Sequence, residues 1–168
     1  MAPFAREPYA DVGSGAGFPA IPLAIVLGIP VTLIESNGKK ARFLESLFAS
    51  LALRGAVVAE RAEQAARRSD LRDSFLAVTC RAVGALSTVA ELTLPLLAVN
   101  GIAILQRGHV DAAERRATED ASLVLGGRLE REVDVSDQRR LVILRKKQPT
   151  PTRFPRRSGV PQKRPLCC

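Results

Sequence analysis

Short apolar runs alternate with amphipathic stretches along this chain, and glycine or proline stands at almost every change of period. Tyr9 to Val12 is the first apolar run; Pro8 limits its backward extension, so it predicts a short β-strand. Asp11-Val12-Gly13-Ser14-Gly15-Ala16-Gly17-Phe18-Pro19 then reads as a strand end, a glycine-rich turn and a helix start, with Ile21 to Leu27 as the helix body. Pro19 and Pro22 fit the first helical turn, where N–H groups lack intrahelical partners, and Gly28 followed by Pro30 stops the helix. Val31 to Ile34 predicts a second strand ending at Glu35, and Ser36-Asn37-Gly38 a turn that can cap the next helix. From Lys39 to Arg54, Phe43, Leu44, Leu47, Phe48 and Leu51 share one helical face, and Gly55 ends that helix.

The second half continues the alternation. Ala56 to Ala59 is a short strand, followed by a polar, arginine-rich segment to Asp73. Phe75 to Thr79 reads as a buried strand ending at Cys80-Arg81-Ala82, and Ala85 to Val99 as a helix kinked at Pro95. Asn100-Gly101 predicts a turn into the strand Ile102 to Gln106, before a charged helix from about Val110 to Leu125. Two final strands, around Glu132 to Val135 and Leu141 to Leu144, flank the turn Ser136-Asp137-Gln138. The pattern predicts an α/β fold: an open, mostly parallel sheet with helices on both faces and an antiparallel C-terminal hairpin. Ligands in such sheets bind outside the carboxyl ends of the strands. Gly13 to Phe18, Glu35, Ala62-Glu63, Arg81 and Arg107 each follow a strand, so the pattern collects them on one rim.

Chemistry sharpens that rim. Gly13, Gly15 and Gly17 leave the turn without bulky side chains, so backbone N–H groups can approach a ligand closely. Their G-x-G-x-G spacing is neither the dinucleotide G-x-G-x-x-G nor a P-loop. Glu35 follows Gly13 by 22 residues, where a carboxylate can accept hydrogen bonds from two ribose hydroxyls. Together they predict an adenosine-containing ligand; the plainer alternative is a tight turn beside a solvated glutamate.

Charge adds a second partner. Net charge is +8 and the sequence pI about 10.2, which favours a polyanion, RNA or DNA first, over a basic protein with no nucleic-acid role. No apolar run approaches the roughly 20 residues of a membrane span, residues 1–10 carry no signal-peptide pattern, and three cysteines make neither a disulfide framework nor a zinc site. A reducing cytoplasm is the expected location. The composition divides the chain into a domain over 1–145 and a basic, proline-rich tail over 146–168, either an extended phosphate-binding arm or a solvated tail. His109 reads as a surface residue and Cys80 as a buried small hydrophobe. Arg81 and Arg107 are candidate cations for a nucleic-acid base or phosphate; Arg81 could instead pair with an acidic residue in a structural role.

Several of these motifs resemble, in order, those of one family. Residues 11–19 with Ile21-Pro22-Leu23-Ala24-Ile25 resemble the first motif of the bacterial 16S ribosomal RNA guanine-N7 methyltransferases, the glucose-inhibited division protein B or ribosomal RNA small-subunit methyltransferase G family. Leu33-Ile34-Glu35-Ser36 with Lys39-Lys40 and Phe43-Leu44, then Arg61-Ala62-Glu63, then Arg81-Ala82-Val83 are similar to its following motifs. Thr150-Pro151 with Phe154-Pro155-Arg156-Arg157, Gly159, Pro161, Lys163 and Pro165-Leu166 is similar to its C-terminal signature. The resemblance implies a class I, Rossmann-like fold with S-adenosyl-L-methionine as methyl donor. It implies a monomeric enzyme acting on N7 of a guanine in 16S ribosomal RNA or the small subunit. Carried over, Gly13, Gly15 and Phe18 lie along the cofactor, Glu35 holds its ribose, Ala62 and Glu63 lie by the adenine, and Arg81 sits near cofactor and base. Guanine N7 has a lone pair and no proton, so no catalytic acid or base and no metal is expected, only positioning. The alternative is a catalytically silent RNA-binding or ribosome-assembly module on the same fold. The chain departs from the pattern in lacking the family's N-terminal helical segment, in Ala20 where glycine is usual, in Gln106-Arg107-Gly108 for Lys-Gly, and in Cys167-Cys168, which receive no role.

Overall fold

A computed structural model describes residues 1–81 and 84–166; Ala82, Val83, Cys167 and Cys168, which include part of the Arg81-Ala82-Val83 motif, lie outside the described residues. Seven strands form one sheet: β1 (Tyr9–Val12), β2 (Val31–Ile34), β3 (Gly55–Val58), β4 (Phe75–Arg81), β5 (Leu97–Arg107), β6 (Gly127–Ser136) and β7 (Arg139–Lys146). Their order is β3-β2-β1-β4-β5-β7-β6; β7 runs antiparallel to β5 and β6, and the other neighbours are parallel. The expected mostly parallel sheet with a C-terminal hairpin is therefore present.

Alternation along the strands sorts the core into two layers. Tyr9, Leu33, Ile104 and Ile143 face α1 (Ala20–Leu27) and α2 (Gly38–Ser50), packing on Ile21, Ala24, Leu44 and Phe48. Val12, Val78, Leu105 and Val142 face the other way, onto Leu86, Val89, Ala90 and Leu125 from α4 (Leu86–Thr93) and the end of α5 (Ala112–Val124). Helix boundaries follow their local chemistry. Gly28 ends α1 in a left-handed conformation, and the Asn37 side chain caps α2 by accepting from the backbone N–H of Lys39 and Lys40.

Three boundaries differ from the hydrophobic pattern. Helix α2 stops at Ser50, before Arg54, and Gly55 opens β3 instead of ending the helix. Gly55 has φ +132°, and a Cβ there would lie 1.9 Å from the Val31 carbonyl oxygen, so the β2–β3 approach excludes any side chain. Helix α4 ends at Thr93, well before Val99: Pro95 lies in a 3-10 turn, Leu94–Leu96, because it lacks the N–H that another α-turn requires. Asn100-Gly101 does not reverse the chain. Asn100, at φ +71°, sits inside the longer β5 at a shift of register between the Phe75–Leu97 and Ala77–Ile102 pairs. The hairpin strands also run longer than their apolar cores, because charge pairs cross them: Arg145 with Glu130, and Arg140 with Glu132 at 2.7 Å.

The proline-rich segment after β7 runs in turns and bends, and it is anchored rather than solvated. Lys146, fully buried, donates to Asp73 at 3.0 Å, to the Leu94 carbonyl at 2.7 Å and to Thr150 at 2.7 Å, which uses all three ammonium protons. Phe154 is buried in the core, Arg72 donates to the carbonyls of Thr150 and Phe154, and Arg67 to that of Pro155. A short helix, α6 (Val160–Lys163), follows. Among the described residues no helix is long and apolar enough to cross a membrane.

Candidate cofactor site

The site is built on the carboxyl ends of the first three strands. Past β1 the glycine turn is tied to β2: the N–H groups of Gly13 and Ser14 donate to the Ile34 carbonyl at 2.9 and 3.3 Å. Gly13, Gly15 and Gly17 all adopt positive φ, at 71°, 56° and 89°. At Gly17 a Cβ would come within 2.5 Å of Ile21 Cδ1, so the turn folds tightly onto α1 only without a side chain. The spacing of glycines read from the sequence is thus a spacing of backbone conformations.

Glu35 lies across the gap from the turn, only 7% exposed. Its Oε2 accepts from the Gly15 N–H and its Oε1 from the Asn37 N–H, each at 2.8 Å. The carboxylate therefore already holds the turn and the β2–α2 loop together, and each oxygen retains a lone pair for a ligand hydroxyl. A cleft of about 140 Å³ extends from here between Gly13, Ile34, Ser36, Ala62, Leu92 and Gln162. More of its exposed wall is apolar than polar, as a purine face requires, and Glu60, Arg61 and Glu63 also line it. Gly13 lines the cleft and is exposed; Phe18, 54% exposed, is not among the residues that line it. The cradle, the carboxylate and the slot fit a ligand that carries a ribose and a purine.

Ala62 and Glu63 open the short helix α3 (Ala62–Ala65) just after β3, inside the polar, arginine-rich segment. Glu63 is buried, but its carboxylate faces the C-terminal segment: Oε1 accepts from the Gly159 N–H at 2.8 Å and lies 3.6 Å from Arg61 Nη2. The two candidate arginines differ as well. Arg81 ends β4, is exposed, and makes no ion pair among the described residues. The Arg107 guanidinium donates to the Gly84 carbonyl at 2.9 Å and to Glu114 at 2.8 Å, so it ties the β4–α4 loop to α5. Both arginines, with Gln138 and Arg139, line a second hollow of about 410 Å³ on the same rim. His109 is exposed, and Cys80 is buried in the core, which pushes its thiol pKa up.

Two groups at the site carry no sequence motif of their own. Thr79 on β4 donates to Asp11 Oδ1 at 2.5 Å and lies 2.7 Å from the Tyr9 hydroxyl, while Asp11 Oδ2 is buried without a partner among the described residues. Burial pushes the Asp11 pKa up to about 7; bonds from Thr79 and Ser14 and the Arg81 charge pull it down, and the Glu35 charge raises it. Gln162 reaches the cleft from the far end of the chain. Strand register alone pairs Asp11 with Thr79, and no periodicity signals Gln162.

Residues 2–143 match the family described as rRNA small subunit methyltransferase G. A protein of Rubrobacter xylanophilus with that name is 48% identical over 167 residues, covering 94% of this chain and 64% of the relative. One from Chloroflexus aggregans is 42% identical, covering 93% of this chain and 68% of its own length. The chain thus spans about two thirds of the relatives it matches. Among solved structures, M. jannaschii TYW2 in complex with AdoMet superposes with a TM-score of 0.61 at 18% identity, covering 82% of this chain and 66% of that one. P. horikoshii TYW2 in complex with MeSAdo does so with a TM-score of 0.65 at 15% identity, covering 82% and 55%. At such identities the likeness is one of fold.

Proposed function

The chain belongs to the rRNA small subunit methyltransferase G family, and from that premise we propose that it transfers a methyl group from S-adenosyl-L-methionine to N7 of a guanine in 16S ribosomal RNA. The observation that carries this reading is the glycine cradle joined to Glu35 at the mouth of a slot sized for a purine. Gly13, Gly15 and Phe18 lie along the cofactor, Glu35 accepts from its ribose hydroxyls, and Ala62 lies by its adenine, with Glu63 next to it in the chain. The cofactor supplies an electrophilic methyl group on a sulfonium.

Guanine N7 offers a lone pair and carries no proton, so the chain need not supply a general base. Its residues hold donor and acceptor in line, where most of the rate advantage of an oriented bimolecular reaction lies. Arg81, exposed and without an ion pair among the described residues, binds guanine O6 or an adjacent phosphate. Arg107, already bonded to Gly84 and Glu114, shapes the rim beside it. The net charge of +8 suits a phosphate-rich partner, the small ribosomal subunit or its RNA. On this reading the protein works as a monomer in the cytoplasm. An intact cradle gives no support to a silent module on the same fold.

The test is calorimetric titration with S-adenosylhomocysteine beside a Gly13→Asp variant, followed by methylation of small subunits lacking the modification. The expected result is binding by the parent chain, loss of binding in the variant, and methyl incorporation at guanine N7. A folded parent chain that does not bind overturns the proposal.

A further inference from the structure

The segment after β7 borders the cleft, and three contacts hold it there. Glu91, fully buried on α4, accepts from the Arg156 backbone N–H at 2.7 Å and from its guanidinium at 2.6 to 3.0 Å. Thr88 Oγ1 donates to the Pro161 carbonyl at 2.9 Å. Glu63 accepts from the Gly159 N–H, where Gly159 turns into α6 with φ +81°. These contacts flank Gln162 and place it on the cleft wall with Ile34, Ala62 and Leu92. Ser36, next to the ribose acceptor Glu35, stands on the same rim. The space between Glu35 and Gln162 is where the base of an adenosine ligand would lie.

The Gln162 carboxamide makes no hydrogen bond among the described residues. It presents a donor beside an acceptor, and an adenine edge presents the complement, the N6 amino group beside a ring nitrogen. We propose that Gln162 reads the adenine edge of the cofactor, and that Glu63 is a positioning residue that holds α6 rather than a contact to the base. The proposal rests on the cofactor reading above and names a specificity residue within it. It also gives the C-terminal segment a role that its charge does not suggest: its inward side completes the cofactor pocket.

The test compares dissociation constants, by calorimetry on the full chain, for S-adenosylhomocysteine and for the analogue with purine in place of adenine, which lacks N6. Gln162→Leu is expected to bind S-adenosylhomocysteine about tenfold more weakly, with an unchanged melting temperature, since it removes one partner of a polar contact at an exposed position. The parent chain is expected to lose about tenfold on the purine analogue, and Gln162→Leu to bind both ligands alike. Glu63→Ala is expected to weaken binding in the parent but to add little to Gln162→Leu, and Glu63→Gln, which keeps the Oε1 acceptor, to restore it. Unchanged affinity in Gln162→Leu, or losses that multiply between variant and analogue, overturns the assignment while leaving the cofactor reading in place. A folded parent chain that binds neither ligand overturns both.

Discussion

Two buried carboxylates sit on opposite sides of the central strands and are treated in opposite ways. Glu91 on α4 is fully buried, and both of its oxygens accept from Arg156, through one backbone N–H and two guanidinium nitrogens. Asp11 on β1 is 1% exposed, accepts from Thr79 at Oδ1, and keeps Oδ2 buried without a partner among the described residues. A buried charge with a bidentate partner fastens two segments together, whereas one left short of partners reports a place where the fold does not spend its polar groups on itself. The first lies where the C-terminal segment is clamped, the second directly beneath the glycine turn. The difference separates the structural half of this rim from the half open to a ligand.

The largest effect should come from breaking the satisfied pair. Glu91→Ala strands the Arg156 guanidinium and releases the segment over α4, and should lower unfolding stability by about 3–5 kcal/mol in urea titrations. A loss below about 1 kcal/mol would mean that the pair is not a clamp. Asp11 should show the opposite behaviour. Its folded pKa, up to about 7, lies above the ordinary carboxylate value, so the folded state binds more protons than the unfolded one through that window. Stability should therefore fall as pH rises from about 4 to about 7, by roughly 4 kcal/mol, and level off above it. Asp11→Asn should flatten that fall and be more stable than the parent at pH 8; an unchanged pH slope would remove Asp11 as its source.

The two arginines refine the same contrast at smaller scale. Arg107→Ala, which frees the Gly84 carbonyl and Glu114, should cost about 1 kcal/mol of stability. Arg81→Ala, at an exposed position with no ion pair among the described residues, should stay within about 0.5 kcal/mol of the parent while slowing methyl transfer to small subunits. Equal stability losses in both variants would erase the distinction between a tying and a free arginine.

How much was legible follows from how local each feature is. The stretch from Tyr9 to Glu35 could be read because strand, turn and helix signals there agree, and three glycines encode three positive-φ positions. The passage from α4 to β5 could not. Pro95 looked like a kink in one long helix and Asn100-Gly101 like a turn, yet the sheet takes the chain from Leu97 onward, because pairing with β4 satisfies its backbone better than an interrupted helix would. The α4 acid was not singled out either: Glu91 is the one charge between Leu86 and Leu97, and nothing local to it named Arg156 as its partner.

The sequence by itself therefore determined the order of strands and helices, the glycine cradle, the carboxylate that follows it, and the family. Those depend on contacts between residues close in the chain, where propensity and spacing are decisive. Only the tertiary structure decided which polar groups are spent and which stay available. Glu35 is bonded to the turn it faces, Glu63 is turned toward Gly159, Arg107 is held and Arg81 is not, and Gln162 is brought from the far end of the chain to the cleft. Hydrogen-bond partners more than 60 residues apart are chosen by sheet register and by the path of a proline-stiffened segment, and neither leaves a local signature in the residues that meet.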